Sequence, residues 1–269
     1  MYNYRVKFFK RIIKEASFSG LKILGPKKLV SLHSPRRRRK SPGESGSKEK
    51  VMTIVQRDPR VRIFGSADWA NFYGPTEKLD PQIEEILQGP CPFYSRKRVL
   101  EMHFAFLGMP ALDGSPLTVA KWLEVHPGPD QPKFYFATNP WHTGQPHTDL
   151  AVLEPRLYVA LREIVPGSTG KSPEDQAAML PAGYRVPTTI EEVTKNILCF
   201  RRTGKRPNGT RWAACAERTV KTSQVGAGFV SCVGNWVGNG LVVSSWDGNP
   251  SVLVGVGASR EMPLDLLRA

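Results

Sequence analysis

The chain has 269 residues, and its 38 lysines and arginines against 24 aspartates and glutamates give a formal net charge of +14. An apolar fraction of 40%, with six Trp, seven Tyr and twelve Phe, is enough for a packed core and excludes a chain that is disordered throughout. No run of about 18 apolar residues occurs, so we expect no membrane span.

The positive charge is concentrated at the start of the chain. Residues 1–50 hold 15 basic and three acidic side chains, a net charge of +12, whereas the rest of the chain holds 23 and 21, a net charge of +2. The basic character therefore belongs to a tail, and the folded body is close to neutral.

This tail, residues 1–51, is predicted to be disordered. Within it, Tyr4–Ala16 has the spacing of a basic amphipathic helix, and the Gly/Pro/Ser-rich part that follows cannot form a core. A block of adjacent cations favours non-specific contact with a polyanion such as nucleic acid or anionic lipid, although a charged linker or an upstream extension without a partner explains it equally well. The block consists of Arg36, Arg37, Arg38, Arg39 and Lys40.

The four cysteines indicate a reducing compartment. They are too sparse for a disulfide scaffold, and none belongs to a Cys-x-x-Cys pair, so we expect a cytoplasmic protein. Cys199, Cys215 and Cys232 have apolar neighbours, which is typical of buried, inert thiols.

Residues 52–183 are predicted to form a mainly helical region. Amphipathic spacing and helix-end residues favour helices over 81–89, 96–108, 117–126 and 153–164, with one aromatic strand over 133–138. His103 and His126 fall on or beside apolar helix faces, so we interpret them as core or cap residues.

Residues 184–269 are predicted to form a second domain. Thr188 and Glu191 form a Thr-x-x-Glu capping box ahead of a helix that ends at Gly204. Short β-type runs separated by Gly and Asn then indicate a small sheet with long loops over 208–262. The fold class is therefore α+β, with a helical middle, a Gly/Trp-rich C-terminal domain and a disordered basic tail.

Two loops contain candidate site residues. His142, His147 and Asp149 are suitable donors for zinc or iron, although surface histidines in a polar loop are the simpler interpretation. The second candidate is a ligand site with stacking rings and polar groups, for which core tryptophans are an equal alternative. Its residues are Arg211, Trp236, Asn239, Trp246 and Asp247.

Arg211 also belongs to a local basic cluster at the end of the predicted helix over 189–203. Cations there are favourable for the helix dipole alone, and an anion-binding role is the weaker interpretation. The other members are Arg201, Arg202, Lys205 and Arg206.

Three segments resemble one known family. YRVPTTIEEV (184–193), RWAACAERT (211–219) and GVGASRE (255–261) are similar to elements of the formylglycine-generating, sulfatase-modifying domains, a branch of the C-type lectin-like fold. The resemblance covers about the last 80 residues and implies a ligand-binding scaffold of short strands and long loops. Family members that oxidise cysteine need a cysteine pair near the closing strand, and this chain has none there.

Three functional hypotheses follow. The first is a non-catalytic ligand-binding or structural module that uses the aromatic loops. The second is a nucleic-acid-associated protein steered by the basic tail, and the third is a metal-dependent enzyme that uses the loop at 141–149. The sequence identifies neither the ligand nor a cofactor.

Overall fold

The computed structural model describes residues 63–73, 87–126, 134, 141–237 and 240–262. Every described residue belongs to one compact unit, Val55–Ala269. The cationic block at 36–40, the predicted amphipathic segment and Asn239 lie outside the described residues, as does nearly all of the predicted strand over 133–138.

The described strands form two four-stranded sheets and one short hairpin. The first sheet has the order β1-β2-β5-β10, and only β1 and β2 run parallel in it. Its strands are β1 (Ile63–Phe64), β2 (His103–Leu107), β5 (Leu157–Leu161) and β10 (Ser259–Met262). A short hairpin pairs β3 (Ala111–Leu112) with β4 (Ser115–Pro116).

The second sheet has the order β8-β7-β6-β9, and β6 and β9 run parallel in it. Its strands are β6 (Trp212–Arg218), β7 (Val230–Val237), β8 (Gly240–Trp246) and β9 (Val254–Val256). The short strands predicted over 208–262 are therefore confirmed. Because β10 pairs with β5, the domain boundary expected at 184 falls inside one compact unit.

Helices connect and cover these sheets, so the α+β class is confirmed. In the described residues they are α1 (Ser66–Phe72), α2 (Val99–Met102), α3 (Val119–Val125), α4 (Pro146–Asp149), α5 (Pro173–Ala178) and α6 (Thr189–Thr203). None of the helices among these residues is long and apolar enough to cross a membrane.

Helix α6 is the centre of the fold. Its eleven residues Thr189–Cys199 are all buried, because strands of both sheets and helices α3 and α4 contact it. The helix begins where the Thr188 hydroxyl accepts from the Glu191 amide at 3.4 Å, and it ends at Gly204, whose φ is +68°. The predicted helix is confirmed, although the Glu191 side chain bonds Arg185 instead of closing the capping box.

A buried ion pair lies in the middle of α6. Lys195 Nζ is 2.5 Å from Glu192 Oε1, and both side chains are almost fully buried. Glu192 Oε1 also accepts from Asn196 Nδ2 at 3.1 Å and Asn208 Nδ2 at 2.8 Å. Lys195 Nζ donates to the carbonyl of Leu161, at 3.2 Å, at the end of β5. The pair therefore fixes the helix against the first sheet.

Two of the predicted helices are wrong. The pattern over 96–108 forms only the single turn α2 followed by β2, and 153–164 contains β5, so the middle region is mixed. All five residues of each strand are buried: Phe104 and Phe106 face α6, and Ala105 packs in an apolar cluster on the opposite face. A strand covered on both faces lacks the alternation that distinguishes it from a buried helix.

A glycine is required where β7 approaches the start of β6. A Cβ atom on Gly234 would lie 2.3 Å from the Arg211 carbonyl oxygen, and its φ is +148°. Asn235, the next residue, donates its amide to that same carbonyl at 2.8 Å. The close approach closes this end of the second sheet.

Replacing Lys195 by Met should destabilise the protein by about 3–5 kcal/mol, because the Glu192 carboxylate would stay buried without its charge partner. Urea unfolding measures this change. Adding Glu192→Gln should recover part of the loss, and Lys97→Met, in an exposed pair with Glu101, should have little effect. A Lys195→Met variant as stable as wild type would contradict the role given to this pair.

His103, confirmed as a core residue, should make the protein acid-sensitive. Burial, together with the charges of Arg162 and Lys195, lowers its pKa from 6.5 to about 4. The unfolded chain therefore takes up a proton first, and stability falls as the pH drops from 6.5 towards 4, by about 3 kcal/mol for this group.

A His103→Gln variant should show a flatter fall in unfolding free energy over this pH range, measured by urea unfolding at a series of pH values. A residual slope is expected from His142, whose pKa is also lowered to about 4. An unchanged slope would show that His103 does not carry the effect.

Candidate functional site

The two late tryptophans lie in the core, on opposite faces of the second sheet. Trp236 is 3% exposed and packs on Phe200 of α6, with ring centroids 4.8 Å apart. Trp246 is equally buried beside Trp212 on the other face, and its Nε1 donates to the Asn249 carbonyl at 2.7 Å. The structure therefore does not bring the two rings together at one surface.

The remaining described members of that predicted site are exposed. Asp247 closes a local turn by accepting from the amide and side chain of Asn249, at 3.1 and 2.9 Å. Arg211 is exposed at the start of β6.

The predicted metal loop forms a turn at 141–144 followed by α4. His142 and His147 are buried, and burial lowers the pKa of each, to about 4 for His142, so both are neutral at pH 7. Asp149 Oδ2 accepts from the Gly144 amide at 2.7 Å, which closes the turn. Across the described residues, no group of three or more His, Cys, Asp or Glu side chains is placed to hold a metal ion.

The cysteines and two arginines of the basic cluster make contacts that stabilise the fold. All four thiols are free and buried, and burial raises the pKa of Cys215 and Cys232, which keeps these thiols protonated. Arg202 pairs with Asp68 at 2.5 Å, and the Arg201 guanidinium lies 4.8 Å from the centre of the Phe72 ring.

A cavity of about 280 Å³ lies beside the N-terminus of α6. The segment before β5, the start of α6, the end of β6 and β10 all contribute to its wall. Its charged residues, which we call the acidic pocket, are Glu154, Arg156, Arg185, Glu191, Glu217 and Glu261.

Five of these six side chains form a continuous chain of ion pairs. Arg185 bridges Glu191, at 2.5 Å, and Glu261. Arg156 bridges Glu261, at 2.9 Å, and Glu154. Three carboxylates therefore share two guanidinium groups, which leaves a net negative charge in this network.

The sixth side chain, Glu217, binds the start of α6. Its carboxylate accepts from the Thr189 amide at 2.9 and 3.1 Å and from the Thr189 hydroxyl at 2.8 Å. A carboxylate is favourable at a helix N-terminus, where free amides carry partial positive charge. This contact positions β6 against the helix and places a fourth carboxylate in the pocket wall.

At two of the carboxyl groups, the effect of burial on the pKa exceeds that of the neighbouring charges and hydrogen bonds. Burial raises the pKa of Glu191 above its ordinary value of 4.5, although the charge of Arg185 lowers it. Burial also raises the pKa of Glu217, although the hydrogen bonds from Thr189 lower it. Glu191 is 3% exposed, and the Ser259 hydroxyl lies near its carboxylate. Burial also raises the pKa of Tyr158 to about 12.

The sequence did not predict this pocket. Glu191 was identified only as a capping residue, and Arg185, Glu217 and Glu261 were not identified as site residues. All four lie within the three segments that resemble the sulfatase-modifying domains. This shared location could have indicated that the residues form one site. The strand pairings that bring the segments together cannot be predicted from the sequence.

Comparisons with protein-family models, curated proteins and solved structures give no match to this chain. The resemblance of the three segments therefore stays a prediction.

Trp246→Ala should destabilise the protein by about 3–5 kcal/mol, because it leaves a large void in the outer cluster of the second sheet. Urea unfolding tests this expectation. Val252→Ala, in the adjacent loop and 78% exposed in the wild type, serves as the control and should leave stability unchanged. A Trp246→Ala variant of wild-type stability would mean that the ring is not part of the core.

Proposed function

We propose that this protein is a non-catalytic binding module whose ligand inserts a cationic group, a guanidinium or an ammonium, into the acidic pocket. The observation that carries the proposal is the wall of the cavity beside the N-terminus of α6, in which carboxylates outnumber guanidinium groups. A cationic ligand would offset the excess of negative charge and donate charge-assisted hydrogen bonds to the carboxylates.

The charge of the pocket supports the same ligand. Four carboxylates stand against two guanidinium groups, and both Arg185 and Arg156 already bridge two carboxylates each. A further cation would supply the charge that burial leaves uncompensated at Glu191 and Glu217. A planar guanidinium is suited to carboxylates because it can donate two parallel hydrogen bonds.

We therefore retain the hypothesis of a binding module but propose a different site for its ligand. The two buried tryptophans offer no stacking surface, whereas the acidic pocket offers a cavity with hydrogen-bond acceptors. The size of the cavity, about 280 Å³, fits one small group such as a side chain or an amine.

We also propose a fold family for the C-terminal part and a cellular location. A C-type lectin-like arrangement of the C-terminal part is supported by the three resembling segments, which all contribute residues to the pocket. A cytoplasmic location is supported by the four free cysteines.

Titration of the purified protein with N-acetylarginine amide tests the proposal, by calorimetry or NMR shifts. Glu191→Gln should weaken binding by about 10- to 100-fold, because it removes a charge-assisted hydrogen bond. Glu174→Gln, which changes an exposed carboxylate on α5 outside the pocket, is the matched control. No binding of the probe to wild type, or equal binding by Glu191→Gln, would contradict the proposal.

The pH dependence of binding provides a second readout. A cation binds the ionised carboxyl groups, so affinity should rise as the pH increases above 4.5 and the raised pKa values of Glu191 and Glu217 are passed. The charged groups that act on this step are the other members of the pocket, Glu154, Arg156, Arg185 and Glu261. Glu191→Gln should reduce the pH dependence.

A further inference from the structure

Exposed apolar side chains lie on two of the segments that form the acidic pocket. Among the described residues, four large hydrophobic side chains are exposed, and Leu150 is 76%, Val152 39% and Val220 43% exposed. Val152 lines the cavity itself, and Leu150 lies two residues before it. We call Leu150, Val152 and Val220 the apolar rim.

One buried side chain connects two parts of this rim. Gln145 is fully buried, and its amide accepts from the Val220 backbone N–H at 2.8 Å and donates to the Val220 carbonyl at 3.0 Å. Gln145 immediately precedes α4, and the Leu150 amide donates to Pro146 at the start of that helix. Val220 in turn follows Glu217 by three residues, so the rim and the carboxylates are held on the same segments.

We infer that the ligand is a polypeptide segment that inserts a lysine or arginine side chain into the acidic pocket and covers the apolar rim with a neighbouring apolar side chain. The inference rests on the proposed function and adds the class of ligand. Carboxylates alone would be enough for a small free amine, whereas exposed apolar side chains on the same segments as a charged cavity are typical of a surface that a protein partner covers.

The charges favour this partner over other macromolecules. The net negative pocket repels the phosphates of nucleic acid and of anionic lipid, and it attracts a basic side chain. A peptide would place its cation at Glu191 and Glu217 and remove Leu150 and Val220 from water, so that one segment satisfies both features.

Three probes test the inference on the full-length chain: N-acetylarginine amide, acetyl-Leu-Arg-Leu amide and acetyl-Leu-Gln-Leu amide. The arginine tripeptide should bind wild type at least about tenfold more tightly than N-acetylarginine amide. The glutamine tripeptide should lose that affinity by a similar factor, because it has no cation for the pocket.

The variant Leu150→Ser/Val220→Ser should remove the advantage of the tripeptide and leave the affinity for N-acetylarginine amide within about twofold of wild type. Both side chains are exposed and Gln145 bonds only the backbone of Val220, so the fold should persist, which circular dichroism checks. Val252→Ser changes the fourth exposed apolar side chain and is the control. Leu150→Lys, a second variant, should weaken the arginine tripeptide through charge repulsion.

The outcomes separate the two proposals. If N-acetylarginine amide binds but the tripeptide is no tighter, or the rim variants keep its advantage, the polypeptide inference is overturned and the cation site stands. If the glutamine tripeptide binds as tightly as the arginine tripeptide, the role of the cation is overturned. If neither arginine probe binds, the proposed function fails and the inference fails with it.

Discussion

The Glu192–Lys195 ion pair lies on a helix that strands of two sheets cover, in a position where water cannot solvate either charge. Removing two charges from water is costly, and their attraction offsets this cost only when the remaining donors and acceptors are also satisfied. Here two Asn side chains donate to the same carboxylate oxygen as Lys195, and two backbone carbonyl groups at the end of β5 accept from the ammonium group. Both charges lie on one helix and move together, but a shift of that helix along its axis would break the bonds that Lys195 and Glu192 make outside it. These outside bonds therefore select one register.

The same helix places the acidic pocket. Because its register is fixed in the core, its first turn lies at a fixed distance from β6, β10 and the segments before β5 and α6, which carry the other charged residues. Glu217 bonds the first residue of the helix, and Glu191 lies on the same turn. Core packing thus determines where the carboxylates of Glu191, Glu217 and Glu261 meet, whereas Glu154 lies in the irregular segment before β5.

How far the sequence predicts this fold depends on which signals are local. Helix α6 was predictable, since Thr188 and Gly204 mark its ends, and the Gly-punctuated strands of the second sheet were predictable for the same reason. Strands β2 and β5 were not, because both faces are covered and their apolar residues do not alternate. The pocket was not predictable either: Arg156, Arg185, Glu217 and Glu261 come from distant segments, and only the pairing of β10 with β5 and the packing of β6 on α6 bring them together.

The pairing of β10 with β5 also has a consequence for synthesis on the ribosome. Strand β5 leaves the exit tunnel about a hundred residues before Ser259–Met262, and until then one of its edges has no neighbour. The nascent chain must keep that edge from pairing with other polypeptides, a task typical of chaperones that hold unfinished sheets. The pocket is completed at the same late moment, because Glu261 arrives on β10, so an incompletely translated chain would lack one of its carboxylates.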